Sequence, residues 1–151
     1  MEKRKIFTTE NSKRGFTLYE VVISLSIFAI ICSIALTSFL NLVPKYKLKK
    51  AVWEINSRMN YARYKAIFEG IKVRVRFGSQ SYSIEKYEMN QKKWMQETTC
   101  FLEGVIIEAT NNPIFHPTGT VSNLASITVS NSWGKYKISL AISGRIKTVK
   151  L

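Results

Sequence analysis

Between Val21 and Pro44 the chain carries no charged side chain. The stretch Val21–Val43, VVISLSIFAIICSIALTSFLNLV, is apolar all round. As a helix it would be roughly 35 Å long at about 1.5 Å per residue. A bilayer core of about 30 Å needs about 20 such residues. Its polar members, Ser24, Ser26, Ser33, Thr37, Ser38 and Asn41, are uncharged, and a hydroxyl can bond back to a helix carbonyl. A soluble domain in a chain of 151 residues has no use for so long an all-round apolar helix. The stretch therefore predicts a single membrane span.

The flanks orient it. Lys3, Arg4, Lys5, Lys13 and Arg14 precede the span against Glu2 and Glu10, which predicts a cytoplasmic N-terminus. Lys45, Lys47, Lys49 and Lys50 follow it and work against that asymmetry. A cleaved secretory signal fits poorly. The apolar run exceeds the usual length of about 7–15 residues, and no small-x-small site separates it from the lysines.

The junction reads Lys13-Arg14-Gly15-Phe16-Thr17-Leu18-Tyr19-Glu20. Glu20 is a carboxylate at the edge of hydrocarbon, where an unpaired charge costs several kcal/mol. Basic leader, Gly, Phe, Glu and apolar helix in this order resemble the leader and first turn of type IV prepilins and pseudopilins. That resemblance implies residues 1–15 as a prepilin leader, 16–44 as a transmembrane and filament-core helix, and 45–151 as an extracytoplasmic globular domain. It implies cleavage between Gly15 and Phe16 by a prepilin peptidase, and N-methylation of Phe16. It further implies that Glu20 meets the positive amino terminus of a neighbouring subunit, so that a buried carboxylate finds a buried ammonium. The implied partners are the peptidase, other pilin or pseudopilin subunits and a membrane assembly platform. The implied location is the cytoplasmic (inner) membrane, then the filament. The chain departs from many pilins at Thr37, where they carry a helix-bending proline; its own proline is Pro44.

After the span the pattern becomes amphipathic. Leu48, Val52, Ile55, Met59, Ala62 and Ala66 recur at spacings of three and four and form one stripe. Glu54 and Arg58 are placed for an i,i+4 pair. One helix is expected from about Thr17 to about Phe68, ended near Gly70. Beyond it Val73, Val75 and Phe77 alternate with Lys72, Arg74 and Arg76, and Tyr82, Ile84 and Tyr87 follow a turn at 78–81. Further strands are expected over 104–109, 126–130, 135–142 and 145–149. The class is α+β, a long N-terminal helix packed on antiparallel β-sheet.

Three downstream segments resemble one branch of that superfamily, the GspH/FimT-like minor pseudopilins. They are Asn60-Tyr61-Ala62-Arg63-Tyr64-Lys65-Ala66-Ile67, Phe115-His116-Pro117-Thr118-Gly119-Thr120 and Ile142-Ser143-Gly144-Arg145-Ile146-Lys147. The resemblance implies a minor subunit of a type II secretion or type IV pilus-like filament.

The formal net charge of +13 predicts attraction to anionic partners. The alternative function is DNA binding in a competence or DNA-uptake pilus. Its candidate residues are Lys72, Arg74 and Arg76 on one strand face, Lys135 and Lys137 on another, and Arg145 and Lys147 after Gly144, whose Gly-Arg-x-Lys ending resembles DNA-binding members of the group. Such residues would engage phosphates without reading sequence; an exposed strand face alternates in the same way.

Catalysis is not expected. There is no Asp, one His (His116) and no Gly-rich phosphate loop or nucleophile motif. No cofactor is implied, and a His/Cys metal site needs more ligands than His116, Cys32 and Cys100 supply. With Cys32 in the apolar run and Cys100 far from it, no disulfide within the subunit is expected. Trp53, Trp94 and Trp133 are expected as core or interface anchors.

Overall fold

The computed structural model describes residues 15–151, apart from the side chains of Thr37, Ser38, Leu40 and Asn41. The basic leader residues Lys3, Arg4, Lys5, Lys13 and Arg14 lie outside the described residues. The chain divides into two compact units between Phe39 and Leu40. One helix, α1 (Leu18–Glu69), contributes to both.

In the first unit the described side chains of α1 are exposed apart from a half-buried Cys32, and Leu18–Leu36 is long and apolar enough to cross a membrane. Its serines turn their hydroxyls inward along the backbone. Ser24 donates to the Glu20 carbonyl at 2.7 Å, Ser26 to that of Val22 at 2.8 Å and Ser33 to that of Ile30 at 2.8 Å. Each hydroxyl is thereby satisfied without water, as an apolar surround requires.

In the second unit α1 buries the expected stripe: Leu48, Val52, Ile55, Met59, Ala62 and Ala66 are all in the core, with Ala51 beside them. The helix ends at Glu69, one residue past the expectation, and Gly70 takes φ +68°. That left-handed position is the usual stop after a helix and is cheap only for glycine.

Two antiparallel sheets complete the unit. The first has the order β3 (Lys93–Phe101), β2 (Ser81–Glu88), β1 (Val73–Phe77), β5 (Ile114–Phe115), β6 (Val121–Ser122). The second has the order β4 (Ile106–Ala109), β7 (Ser126–Asn131), β8 (Gly134–Leu140), β9 (Ile146–Lys150). Val73, Val75, Tyr82, Ile84 and Phe115 from the first sheet join Ile107, Ile127, Val129, Ile138 and Leu140 from the second in one core with the helix stripe.

The structure adds β3, β5 and β6 to the expected strands. β3 is the edge of its sheet and is exposed on both faces, so its residues show no apolar alternation. β5 and β6 are two residues each, too short for any periodicity. β8 is shorter than expected because Ala141–Arg145 forms the turn into β9: the Gly144 N–H donates to the Ala141 carbonyl and the Ala141 N–H to that of Arg145, both at 2.9 Å. β2 also departs from alternation, with four consecutive buried residues from Tyr82 to Glu85. Ser83 and Glu85 are the polar members, and the Glu85 carboxylate is covered by Arg74 from the neighbouring strand.

Candidate functional site

The helix start is built by two residues. Thr17 is the N-cap and Glu20 stands three residues later. The Glu20 Oε2 accepts from the Thr17 N–H and from its hydroxyl, each at 3.0 Å, and the Thr17 Oγ1 accepts from the Glu20 N–H at 3.3 Å. This reciprocal capping box satisfies two backbone donors that the helix leaves orphaned. The first helical bond, Val21 N–H to the Thr17 carbonyl, is 3.2 Å. Upstream, Gly15 and Phe16 have no regular structure and are exposed. A Cβ added at Gly15 would meet nothing within 4 Å, so the fold itself makes no demand for glycine there.

The basic candidates separate into two groups. Arg74 and Arg76 share a face of β1, as alternation predicts, but neither is a free cation. Arg74 Nε donates to Glu85 at 2.7 Å with a second contact from its terminal nitrogen, and its guanidinium stacks on Trp94 at 4.3 Å. Arg76 reaches the other Glu85 oxygen at 4.0 Å. Lys72 precedes the strand, and its carbonyl accepts from the Tyr87 N–H.

The second group belongs to the other sheet. Lys135, Lys137 and Lys147 lie on the face of β8 and β9 opposite the buried Ile138 and Leu140. Lys137 pairs with Val149 and Ser139 with Lys147, so Lys137 and Lys147 are diagonal neighbours. Arg145 is exposed in the turn before β9. Among the described residues none of these four cations is in an ion pair. Glu108 shares their face, across Thr128 from Lys137.

A polar cluster sits where α1 meets β2. The Tyr82 hydroxyl donates to Glu54 at 2.8 Å, so Glu54 serves the sheet rather than the expected pair with Arg58. Burial first, then hydrogen bonds to Cys100 and Glu54, push the Tyr82 hydroxyl well above its ordinary range. Tyr82 in turn raises Arg58. At Lys65 burial opposes the charge, yet the bonds and attraction of Glu97 outweigh it and raise the ammonium. These groups hold helix to sheet and present no open reaction centre. His116 is a turn residue: its Nε2 bonds the Ser122 hydroxyl at 2.8 Å, and its carbonyl accepts from the Gly119 N–H.

Sequence reasoning missed Arg63. Its Nε donates to the Gly119 carbonyl at 3.1 Å, and a Cβ at Gly144 would stand 2.6 Å from the same nitrogen. Gly119 and Gly144 both take φ +79°. The Val121 N–H also donates to the Ile142 carbonyl at 2.9 Å. The segments 60–67, 115–120 and 142–147, far apart in sequence, thus converge on one guanidinium. The two glycines in those segments were the available signal, since each permits a close backbone approach that a side chain forbids.

The chain matches a family described as the prokaryotic N-terminal methylation motif over residues 11–36. No curated protein sequence matches it. Among solved structures it is similar to the minor pseudopilin EpsH from the type 2 secretion system of Vibrio cholerae. The TM-score is 0.60 at 12% identity, over 69% of this chain and 97% of that one. It is also similar to the type IV minor pilin FimU of Pseudomonas aeruginosa, with TM-score 0.55 at 16% identity, over 68% of this chain and 92% of that one. The methylation motif thus stands at the start of the apolar helix, and the domain behind it has the α+β fold of these minor pilin and pseudopilin structures.

Proposed function

We propose that this chain is a minor pilin or pseudopilin of the GspH/FimT-like group. It is a structural subunit rather than an enzyme, and it assembles with other such subunits into a type II secretion or type IV pilus-like filament. The observation that carries the reading is the helix start: an exposed carboxylate, Glu20, opening an apolar helix directly behind Gly15 and Phe16. Since nothing in the fold requires a glycine at position 15, its role lies with an outside agent, the prepilin peptidase that cleaves after it. Cleavage frees the Phe16 amine four residues before Glu20. In a helix bundle in the membrane, Glu20 exchanges its Thr17 contacts for the ammonium of a neighbour. The subgroup reading is supported by the convergence of its three segments on Arg63. On this reading the N-terminus is cytoplasmic and the β-domain lies outside the inner membrane, which the basic residues ahead of the apolar stretch support.

The test is intact mass and N-terminal sequencing of the chain expressed with and without a prepilin peptidase. Loss of Met1–Gly15 with a methylated Phe16 is the expected result. A chain that keeps its leader when the peptidase is present overturns the reading.

A second reading, DNA binding by the outer domain, is favoured by one observation: Lys135, Lys137 and Lys147 are unpaired on one sheet face. The β1 residues Arg74 and Arg76 support it less, because Glu85 already faces them. Neutralising Arg145 and Lys147 together should weaken binding uniformly across sequences and lower its salt slope by about two. Binding unaffected by these changes removes the second reading and leaves the first.

A further inference from the structure

A basic and aromatic surface gathers where the second unit begins. Asn131, in the turn between β7 and β8, donates its side-chain N–H to the Pro44 carbonyl at 2.7 Å and accepts the Trp133 N–H at 2.9 Å. The turn is thereby fastened to α1 at the first residue after the apolar stretch. Trp133 is half-buried against the core. Two ammonium groups share its ring: Lys150 at 4.3 Å and Lys45 at 5.5 Å from the centroid. Lys49 follows Lys45 by one helical turn.

The charge here is unmatched. Among the described residues all ion pairs draw on Glu69, Glu85 or Glu97, and none involves Lys45, Lys49 or Lys150. No Asp or Glu occurs from Val21 to Trp53 or after Glu108. Lys47 and Lys50 differ, since they share a groove with Glu54 and Glu103. Lys45 and Lys49 at i,i+4, and Lys45 and Lys150 on one ring, repel each other in the free chain. A neighbouring anion relieves that repulsion.

We infer that this surface, Lys45, Lys49 and Lys150 around Trp133, docks on the anionic phospholipid headgroups of the bilayer that the chain's own helix crosses. Covalent continuity supplies the partner. Lys45 follows Val43, the end of the apolar stretch, by two residues, so the span delivers it to the headgroup layer. Trp beside Lys is the side-chain pairing suited to that layer, with an amphipathic ring at headgroup level and cations toward phosphate. The docked state holds the β-domain on the membrane before assembly and releases it when subunit contacts replace lipid.

The inference rests on the reading of α1 as a membrane span, and the experiment separates the two. The full chain, at one copy per nanodisc, is prepared in phosphatidylcholine alone and in phosphatidylcholine with phosphatidylglycerol. Trp133 is observed in a Trp53→Phe/Trp94→Phe background with a headgroup-attached nitroxide as quencher. Amide exchange of residues 131–135 in the unsubstituted chain serves as the second readout, independent of those changes. Quenching and protection should rise with phosphatidylglycerol. They should fall back to the phosphatidylcholine level in high salt and in K45Q/K150Q. A chain that leaves phosphatidylcholine discs in high salt overturns the span and the docking together. A chain that stays, with readouts indifferent to phosphatidylglycerol, overturns the docking alone. The docking also falls if K45Q/K150Q instead lowers affinity for a labelled DNA duplex, or if protection appears only with two copies per disc.

Discussion

Gly70 and Gly144 have nearly the same backbone conformation, φ +68° and +79°, but different surroundings. Around Gly70 a Cβ meets nothing, whereas at Gly144 it meets Arg63 within 3 Å. Gly70→Ala should therefore carry only the left-handed backbone penalty, about 1–2 kcal/mol. Gly144→Ala should lose more, about 2–4 kcal/mol, because backbone strain and steric conflict add. In an Arg63→Ala background that difference should vanish. Equal losses in chemical denaturation would show that Arg63 is not held against the turn. Tyr82 offers a second test. Its hydroxyl titrates above the ordinary value of 10.0 when folded, so the unfolded chain ionises first. The neutral phenol thus contributes stability that is complete below pH 10 and lost as pH rises beyond it. Tyr82→Phe should be less stable than the parent at pH 8, with the gap narrowing by about pH 11.5. A gap that stays constant with pH contradicts the assignment.

At the scale of elements, the proposed function gives the start of α1 two roles, capping and assembly, that one substitution separates. Gln at an N3 position can accept the N-cap N–H as Glu does, but it has no charge. Glu20→Gln should keep the amide protection of Val21 while abolishing incorporation into filaments. Glu20→Ala should lose both, and Thr17→Ala should lose only protection. If Glu20→Gln assembles normally, the carboxylate acts as a cap and nothing more. Strand β3 shows why an element can escape sequence reading. Lys93–Phe101 is exposed on both faces and is held by the backbone ladder to β2, by Glu97 against Lys65 and by Trp94 under Arg74. None of those contacts leaves a period of two in the sequence.

For the whole molecule, the second unit owes its core to the first turns of α1 beyond the apolar stretch. Leu48, Ala51 and Val52 are buried there, and Pro44 receives Asn131. A fragment starting at Pro44 should unfold cooperatively in urea. One starting at Trp53 lacks those three core side chains and should be largely unfolded, since losing a buried Leu alone removes about 2–5 kcal/mol. A folded fragment from Trp53 onward would place the domain boundary later than residue 45.

The sequence by itself determined the membrane-length helix, its continuation as the amphipathic stripe from Leu48 to Ala66, and the α+β class. These follow from local periodicity and from the absence of charge, which any window of the chain displays. Only the tertiary structure decided which cations are free. Arg74 and Lys137 look alike in an alternating strand, but Glu85 stands beside one, and among the described residues no carboxylate pairs with the other. Tertiary structure also brought Arg63 to Gly119 and Gly144, and Lys45 and Lys150 to Trp133. Pairings between residues so far apart depend on how the chain closes, and closure leaves no periodic trace in the sequence.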